Sequence, residues 1–320
     1  MDYTLLIQQL GYKQLHSAQK IQTLWGGYGE LVRLFIDDMS IIVKHITLPE
    51  IQNHPRGWNT TLSHQRKVLS YQVELHWYQD FAPELHANCP APLPIKVVES
   101  ESTCLLVMQD LQQLGYNQTT TEANNVHLNA CLKWLAWFHA THIENEGKNL
   151  WDIGTYWHIE TRPDELEALE DSILKEHAQQ LDQILKGAPF QTLVHGDAKL
   201  ANFCFTADGE KAAAVDFQYV GKGCAMKDVA LFMSSAVTPQ QCAQKEQWIL
   251  DTYFRHLKEA IKNTQPNLNA QEVESAWRSL FCIAWADFQR FVKGWCPTHW
   301  KINDYTEALT NQAIQVISNR

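Results

Sequence analysis

The sequence predicts an α+β protein of two lobes: a five-stranded antiparallel sheet with one helix over residues 1–109, then a larger, mainly helical lobe over 110–320. Three features carry this reading. The first 109 residues hold five short runs rich in β-branched and aromatic residues, interrupted by a single helix-spaced segment. After Asp110 the apolar spacing becomes helical and stays so almost to the C-terminus. One strand pair breaks that helical part, around the Asp-Gly turn at Asp208 and Gly209.

Each element follows from local pattern. Residues 21–25, 31–36 and 41–46 read as strands, joined by "GGYG" and "DDMS", both of hairpin length. Residues 63–81 have helical spacing and stop just before Pro83. "ANCPAPLP" (87–94) is a Pro-rich connector, and residues 95–99 and 103–109 complete the sheet. The lobe boundary falls at 109–115. Residues 126–142 set Cys131, Leu135, Phe138 and His142 at helical spacing. Residues 161–186 read as one charged helix, with Thr161 as N-cap, Pro163 in the first turn and Gly187 past the end. Residues 203–205 and 212–216 form the hairpin around "TADGEK". Residues 276–295 read as one long aromatic helix. Its Trp277, Phe281, Trp285 and Phe288 form either a core stripe, the commoner case, or an aromatic cage for a quaternary amine. No repeat or low-complexity tract occurs.

Composition bounds the function. With 320 residues, 45% of them hydrophobic, the chain is long and apolar enough for a sizeable core. A net charge of −10, with no basic tract longer than two residues, argues against a nucleic-acid partner. The eight cysteines are scattered without a C-x-x-C pair, as expected of buried free thiols in a reducing compartment. The N-terminal residues lack a signal-peptide pattern, and no run of about 18 apolar residues occurs. A cytoplasmic protein without a membrane partner is expected.

The chemistry concentrates in "LVHGDAKLANF" (193–203). Asp197 and Asn202 stand five apart on a short connector with Lys199 between them, and Asp216 ends the second strand of the following hairpin. An Asp there can accept a proton from a hydroxyl, while an Asn carbonyl oxygen and a second carboxylate suit a hard cation such as Mg²⁺. A lone loop Asp is usually a turn residue. Asp197 differs because His195, Asn202 and Asp216 accompany it, and the set suits phosphoryl transfer, where positioning and charge neutralisation do most of the catalysis. His195 reads as a structural loop anchor, and His139 and His142 as packing residues. Lys44 in "IIVKHI" alone would be a snorkelling or edge-strand lysine, but Glu74 on the next helix favours an internal ion pair. Gly26, Gly27 and Gly29 are also consistent with a plain hairpin turn.

The H-G-D-x-x-x-x-N motif, followed by an apolar strand and D-F, resembles the catalytic core of the aminoglycoside and choline kinase group, relatives of the protein kinases. "VDFQ" (215–218), "SYQVELHWYQDFAPEL", "LLVMQDL" and "LAWFHATH" most resemble its ecdysteroid kinase-like branch. The likeness runs from about Trp25 to Ser235. It implies a bilobal protein-kinase-like fold using ATP and Mg²⁺, with a nucleotide-binding lobe over 1–109 and the catalytic loop and substrate pocket in 110–320. By the same resemblance Asp197 is the base, Asn202 and Asp216 are Mg²⁺ ligands, and Lys44, paired with Glu74, holds the α- and β-phosphates. "GGYG" (Gly26, Gly27, Gly29) covers the phosphates, Gln109 and Leu111 offer backbone groups to adenine, and His195 and Asp228 brace the loop. Lys199 would neutralise phosphate charge, although many members of the branch carry an aromatic or His residue there. The glycine loop lacks the full protein-kinase pattern, and D-F-Q replaces D-F-G, which favours the small-molecule branch.

The expected activity is therefore ATP-dependent phosphorylation of a hydroxyl on a small-molecule alcohol, by a monomer or homodimer. Alternatives are a protein kinase and a non-catalytic pseudokinase. Only eleven residues separate Asp216 from Asp228, with no A-P-E signature among them, which argues against the first. Every polar group needed for turnover is present, which argues against the second. Acidic composition fits a cationic acceptor, and the Trp-rich C-terminal part a partly hydrophobic one.

Overall fold

The structure, a computed structural model, describes residues 1–47, 61–100 and 103–319. Strands β1 (Leu15–Thr23), β2 (Gly29–Ile36), β3 (Met39–Thr47), β4 (Pro94–Glu99) and β5 (Thr103–Gln109) form one antiparallel sheet in the order β1-β2-β3-β5-β4. Only the last residues of β1 had a strand signal. Its earlier part, "HSAQK", is polar because β1 is a solvated edge strand carrying Lys20, which guards against edge-to-edge pairing. The predicted end of that strand is instead a short 3₁₀ turn, Trp25–Gly27.

Strand alternation decides which side chains meet the site. In β3, Ile41 and Val43 point to one face, and Ile42, Lys44 and Ile46 to the other. The first face is covered by α1 (Tyr3–Gln9), whose Leu6 and Ile7 pack on Val32, Leu34 and Val107. The sequence reading did not anticipate α1; seven residues are too few for a periodic signal. Its start is nonetheless capped by Asp2, which accepts the Thr4 and Leu5 N–H groups. The second face meets α2 (Thr61–His76), on which Lys67, Tyr71 and Glu74 share one side at helical spacing. A wide turn, Trp77–Phe81, prolongs α2 to the limit set by Pro83.

The helical part comprises α3 (Asn125–Thr141), α4 (Pro163–Glu167), α5 (Ser172–Lys186), α6 (Met226–Ala236), α7 (Pro239–Thr264), α8 (Ala270–Arg278), α9 (Phe281–Trp295) and α10 (Asp304–Ser318). Helix α3 lies along α7, and α9 is central, touching α4, α5, α6 and α10. Two ribbons of three-residue strands frame the catalytic segment: β6 (Thr192–Val194) with β9 (Gly221–Gly223), and β7 (Phe203–Phe205) with β8 (Ala212–Ala214).

Two helix readings need correction. Residues 161–186 are not one helix: Thr161 ends a 3₁₀ turn, and the chain breaks between α4 and α5. Asp171 is the reason, because its carboxylate caps Leu174 N–H at 3.0 Å and so starts a new helix. Residues 276–295 split into α8 and α9 at Ser279 and Leu280, whose ψ angles of −16° and −1° interrupt the ladder. The aromatic stripe is core, not cage: Trp277, Phe281, Trp285 and Phe288 are all buried, and Trp277 Nε1 donates to Pro189 O at 3.0 Å. All eight cysteines are free; six are buried as expected, while Cys204 and Cys296 are partly exposed. Among the described residues, no helix is long and apolar enough to cross a membrane.

Candidate active site

Strand β6 delivers the chain into His195-Gly196-Asp197. Gly196 has φ +77°, and a Cβ there would lie 2.0 Å from Tyr219 O, so only glycine lets the loop pass. Asp228, in the first turn of α6, accepts the N–H of His195 at 2.6 Å and of Gly196 at 3.0 Å. It also meets His139 Nε2 at 3.1 Å, whose Nδ1 lies 2.8 Å from Tyr253 Oη. His139, expected only to pack, is thus part of the brace. His195 Nε2 is 3.1 Å from Val215 O and its ring lies 4.6 Å from Phe217. Burial lowers its pKa, so it is a neutral anchor tying the loop to the strand before Asp216.

Asp197 Oδ2 accepts Lys199 Nζ at 2.7 Å and Asn202 Nδ2 at 3.1 Å; the same amide also donates to Asp197 O at 2.8 Å. No described residue donates to Oδ1. Burial raises the Asp197 pKa, and the nearby Asp216 carboxylate adds to the rise while Lys199 opposes it. Lys199 in turn is held charged: burial opposes its charge, but Asp197 outweighs burial and raises its pKa.

Asp216 follows β8 in the left-handed region, φ +70°, which Asp tolerates better than most residues. Its Oδ1 accepts Lys44 Nζ at 3.2 Å and Gln218 Nε2 at 2.6 Å. Burial would raise its pKa, but the Lys44, Lys199 and Lys67 ammonium groups prevail and hold it well below the usual carboxylate range. Lys44 Nζ also bridges both Glu74 oxygens at 2.8 and 2.7 Å. Burial pushes the Glu74 pKa up to about 6 despite that ammonium. Gln218 Oε1 accepts Lys67 Nζ at 2.7 Å, and that ammonium sits 4.5 Å from the Tyr71 ring centre. Burial brings the Lys67 pKa down to about 8.

These groups line one cleft of about 790 Å³. Ile42, Met108 and Gln109 face it from the sheet, Gly26 and Tyr28 from the turn between β1 and β2, and Leu111 from just beyond β5. Gly27 and Gly29 do not line it. Gly29 shapes the hairpin instead, since a Cβ there would meet His45 O at 2.0 Å. The Gln109 N–H is bonded to Leu93 O at 2.9 Å, so any contact from Gln109 to a base rests on its carbonyl. At the far end stand Tyr156, Arg162, Tyr219, Phe291 and Trp295.

The donor set fits Mg²⁺. The Asn202 amide nitrogen is bonded to Asp197 and the Asp216 Oδ1 to Lys44 and Gln218, which leaves one oxygen on each, Asn202 Oδ1 and Asp216 Oδ2, as hard ligands. Two protein oxygens with phosphate and water completing the shell is a usual Mg²⁺ arrangement. Sequence reasoning missed three supporting residues: His139, Lys67 and Gln218. Lys67 was discoverable, being seven residues before Glu74 and so on the same face of α2. Gln218 was legible only as a departure from D-F-G.

A family model described as phosphotransferase enzyme family matches residues 21–261. No curated protein matches the sequence. Among solved structures, a microcompartment-associated aminopropanol kinase is 14% identical, covering 99% of this chain and 94% of its own, with a TM-score of 0.53. A spectinomycin phosphotransferase solved with ADP and spectinomycin is 10% identical, covering 98% and 97%, also with a TM-score of 0.53. Choline kinase LicA from Streptococcus pneumoniae is 12% identical, with 99% of both chains covered and a TM-score of 0.47. The fold is therefore the α+β, bilobal, protein-kinase-like one expected. With three quarters of its length matched by the model, the chain belongs to the phosphotransferase enzyme family.

Proposed function

We propose that this protein phosphorylates a hydroxyl of a small molecule at the expense of ATP, with Mg²⁺, in the cytoplasm. One observation supports the reading most: Lys44, Glu74, Asp197, Asn202 and Asp216, up to 172 positions apart, line one cleft in two hydrogen-bonded groups, Lys44 with Glu74 and Asp216, and Asp197 with Asn202. Residues 1–109 bind the nucleotide, with Gly26 beside the phosphates and Gln109 and Leu111 at the adenine. Residues 110–320 supply the catalytic loop and the acceptor pocket.

Asp197 Oδ1 receives the proton of the acceptor hydroxyl as its oxygen attacks, and the raised pKa of the buried carboxyl suits it to that task. Lys199 and Asn202 fix the carboxylate through Oδ2 and keep it ionised. Glu74 orients Lys44 toward the phosphate charge. Bound Mg²⁺, held by Asn202 and Asp216, supplies further charge neutralisation on the phosphates. His195 and Asp228 hold the loop that carries the base.

The test is consumption of ATP with Mg²⁺ against a metabolite library and, separately, a peptide library. Transfer to a small molecule supports the reading. Sequence-selective peptide labelling with no small-molecule product, or a failure to bind ATP, would overturn it.

A further inference from the structure

We propose that Lys67 is a further catalytic residue: its ammonium contacts the phosphoryl group in transfer, on the acceptor side of Asp216. This deepens the kinase reading of the cleft and rests on it.

Lys67 lines the cleft from α2. The charged groups around it are committed to one another: Lys44 to Glu74 and Asp216, Lys199 to Asp197, and Arg33 to Asp110. Lys67 is held by neutral groups instead. Its Nζ donates to Gln218 Oε1 at 2.7 Å and lies 4.5 Å from the centre of the Tyr71 ring. Among the described residues, no carboxylate lies within ion-pair distance of it. Burial brings its pKa down to about 8; the more distant carboxylates of Asp216, Glu74 and Asp197 oppose that fall, and Lys44 adds to it.

Gln218 aims the ammonium. An ammonium only donates and a carboxylate only accepts, so the amide lies one way round, with Oε1 to Lys67 and Nε2 to Asp216 Oδ1 at 2.6 Å. Ser70 Oγ adds a bond to Oε1 at 3.3 Å, and Trp151 Nε1 holds the Gln218 carbonyl at 2.8 Å. A glycine at this position, as in D-F-G, could not make that bridge. Neutralising Asp216 would need no such spacer, because direct ammonium–carboxylate contact is the stronger bond. Lys44 already makes that contact, at 3.2 Å.

Position along α2 gives the task. Glu74, which holds Lys44, stands seven residues after Lys67, about 10 Å further along the helix axis. Arg66, next to Lys67, donates instead to Thr161 O at 2.6 Å, beside the end of the cleft where Tyr156 and Trp295 stand. Both ammonium groups lie near the Tyr71 ring, Lys44 at 5.8 Å from its centre. They therefore flank Asp216 in series, Lys44 toward the sheet and Lys67 toward the acceptor end. With the nucleotide phosphates at Lys44 and the acceptor hydroxyl at Asp197, the group that moves between them passes Lys67. In that step the bond from phosphorus to the bridging β-phosphate oxygen breaks as the bond to the acceptor oxygen forms, and the acceptor proton goes to Asp197. Lys67 neither gives nor takes a proton; it offsets charge on the equatorial phosphoryl oxygens.

Nucleotide binding separates this task from a structural one. Calorimetry of the full chain with Mg²⁺ compares ADP, the imido analogue of ATP, and ADP with aluminium fluoride, which stands for the phosphoryl group in flight. Lys67→Gln should leave ADP affinity within about 2-fold, weaken the analogue by about 10-fold, and weaken the aluminium fluoride complex most, by about 10²–10³-fold. Lys67→Arg keeps the charge and should recover part of both losses. With the best acceptor from the library, kcat of Lys67→Gln should fall by the same about 10²–10³-fold with acceptor KM nearly unchanged. Equal weakening of all three ligands, or of none, overturns the proposal, as does a kcat within about 3-fold of that of the unaltered protein. If Lys67→Gln does not fold, acylation of the unaltered protein by an amine-reactive reagent, read by mass spectrometry, decides: the imido analogue should slow modification of Lys67 and ADP should not, and equal protection overturns the proposal. Failure of the unaltered protein to bind ADP or the analogue with Mg²⁺ would instead sink the kinase reading.

Discussion

Replacing Lys44 with Met removes the cation from a buried ion pair and leaves Glu74, 1% exposed, facing an apolar side chain. Both Glu74 oxygens lose a donor at 2.8 and 2.7 Å. Breaking a buried pair from one side costs about 3–5 kcal/mol, most of it the uncompensated charge. That cost depends on pH. Glu74 has a folded pKa of about 6 against an ordinary 4.5, so the folded state holds its proton more tightly than the unfolded chain. The stability linked to that proton is complete below the ordinary value and is lost as pH rises through the folded one. Without Lys44 the folded pKa moves higher still and the window widens upward. Lys44→Met should therefore show a larger deficit at about pH 8 than near pH 5, where Glu74 is largely neutral in both proteins; the share that comes from Asp216, which also loses the ammonium at 3.2 Å, is present at both. Urea unfolding followed by Trp fluorescence across this range measures it. The double variant Lys44→Met/Glu74→Gln, which removes the Glu74 charge as well, should recover the part of the loss that comes from Glu74, and with it the pH dependence; Asp216, which also loses the ammonium, keeps the rest. An equal deficit at both pH values, or a double variant no more stable than the single, would refute the reasoning.

Asp216→Ala should lose most of the Mg²⁺ dependence of ATP binding by calorimetry, because it removes the anionic member of the oxygen pair; unchanged dependence rules out the ligand role. Asp228→Ala leaves the buried N–H groups of His195 and Gly196 without their acceptor, at about 1–3 kcal/mol each, and should lower both Tm and kcat; an unaltered Tm would show that the brace carries no load. Gly29→Ala forces a Cβ to 2.0 Å from His45 O at φ +136° and should destabilise by at least about 2 kcal/mol in urea unfolding. The rate of the chemical step should rise with pH on its acid limb, through an Asp197 pKa displaced above the usual 3.8; a limb at or below that value contradicts the burial of the base.

Much of this was legible in the sequence because its signals are local. Strands β2, β3, β4 and β5 announce themselves by β-branched runs, and the hairpin of β7 and β8 by its Asp-Gly turn. The spacing of Asp197, Asn202 and Asp216 pointed to one site, and the structure brings them into one cleft. The Lys44–Glu74 pair was expected from a glutamate on the helix that follows the lysine's strand, and the two side chains meet at 2.7 Å. What escaped depends on distant packing. The ribbon of β6 and β9 uses three-residue strands joined across the catalytic segment, too short for a pattern. The split between α8 and α9 has no Gly or Pro to mark it. His139 looks like any helix-face histidine until α6 and α7 bring Asp228 and Tyr253 to its two nitrogens. Arg66 and Arg162, 96 positions apart in sequence, become neighbours only when α2 settles on the segment before α4.

The most direct measurement is the single-turnover rate of Asp197→Asn with ATP, Mg²⁺ and the best acceptor from the library, alongside its ATP affinity. The amide keeps the shape of the side chain but cannot take the hydroxyl proton. If Asp197 is the base of a phosphotransferase, the rate of transfer falls by about 10²–10⁴-fold while ATP binding stays close to that of the unaltered protein. Retention of more than about a tenth of the single-turnover rate would contradict that role.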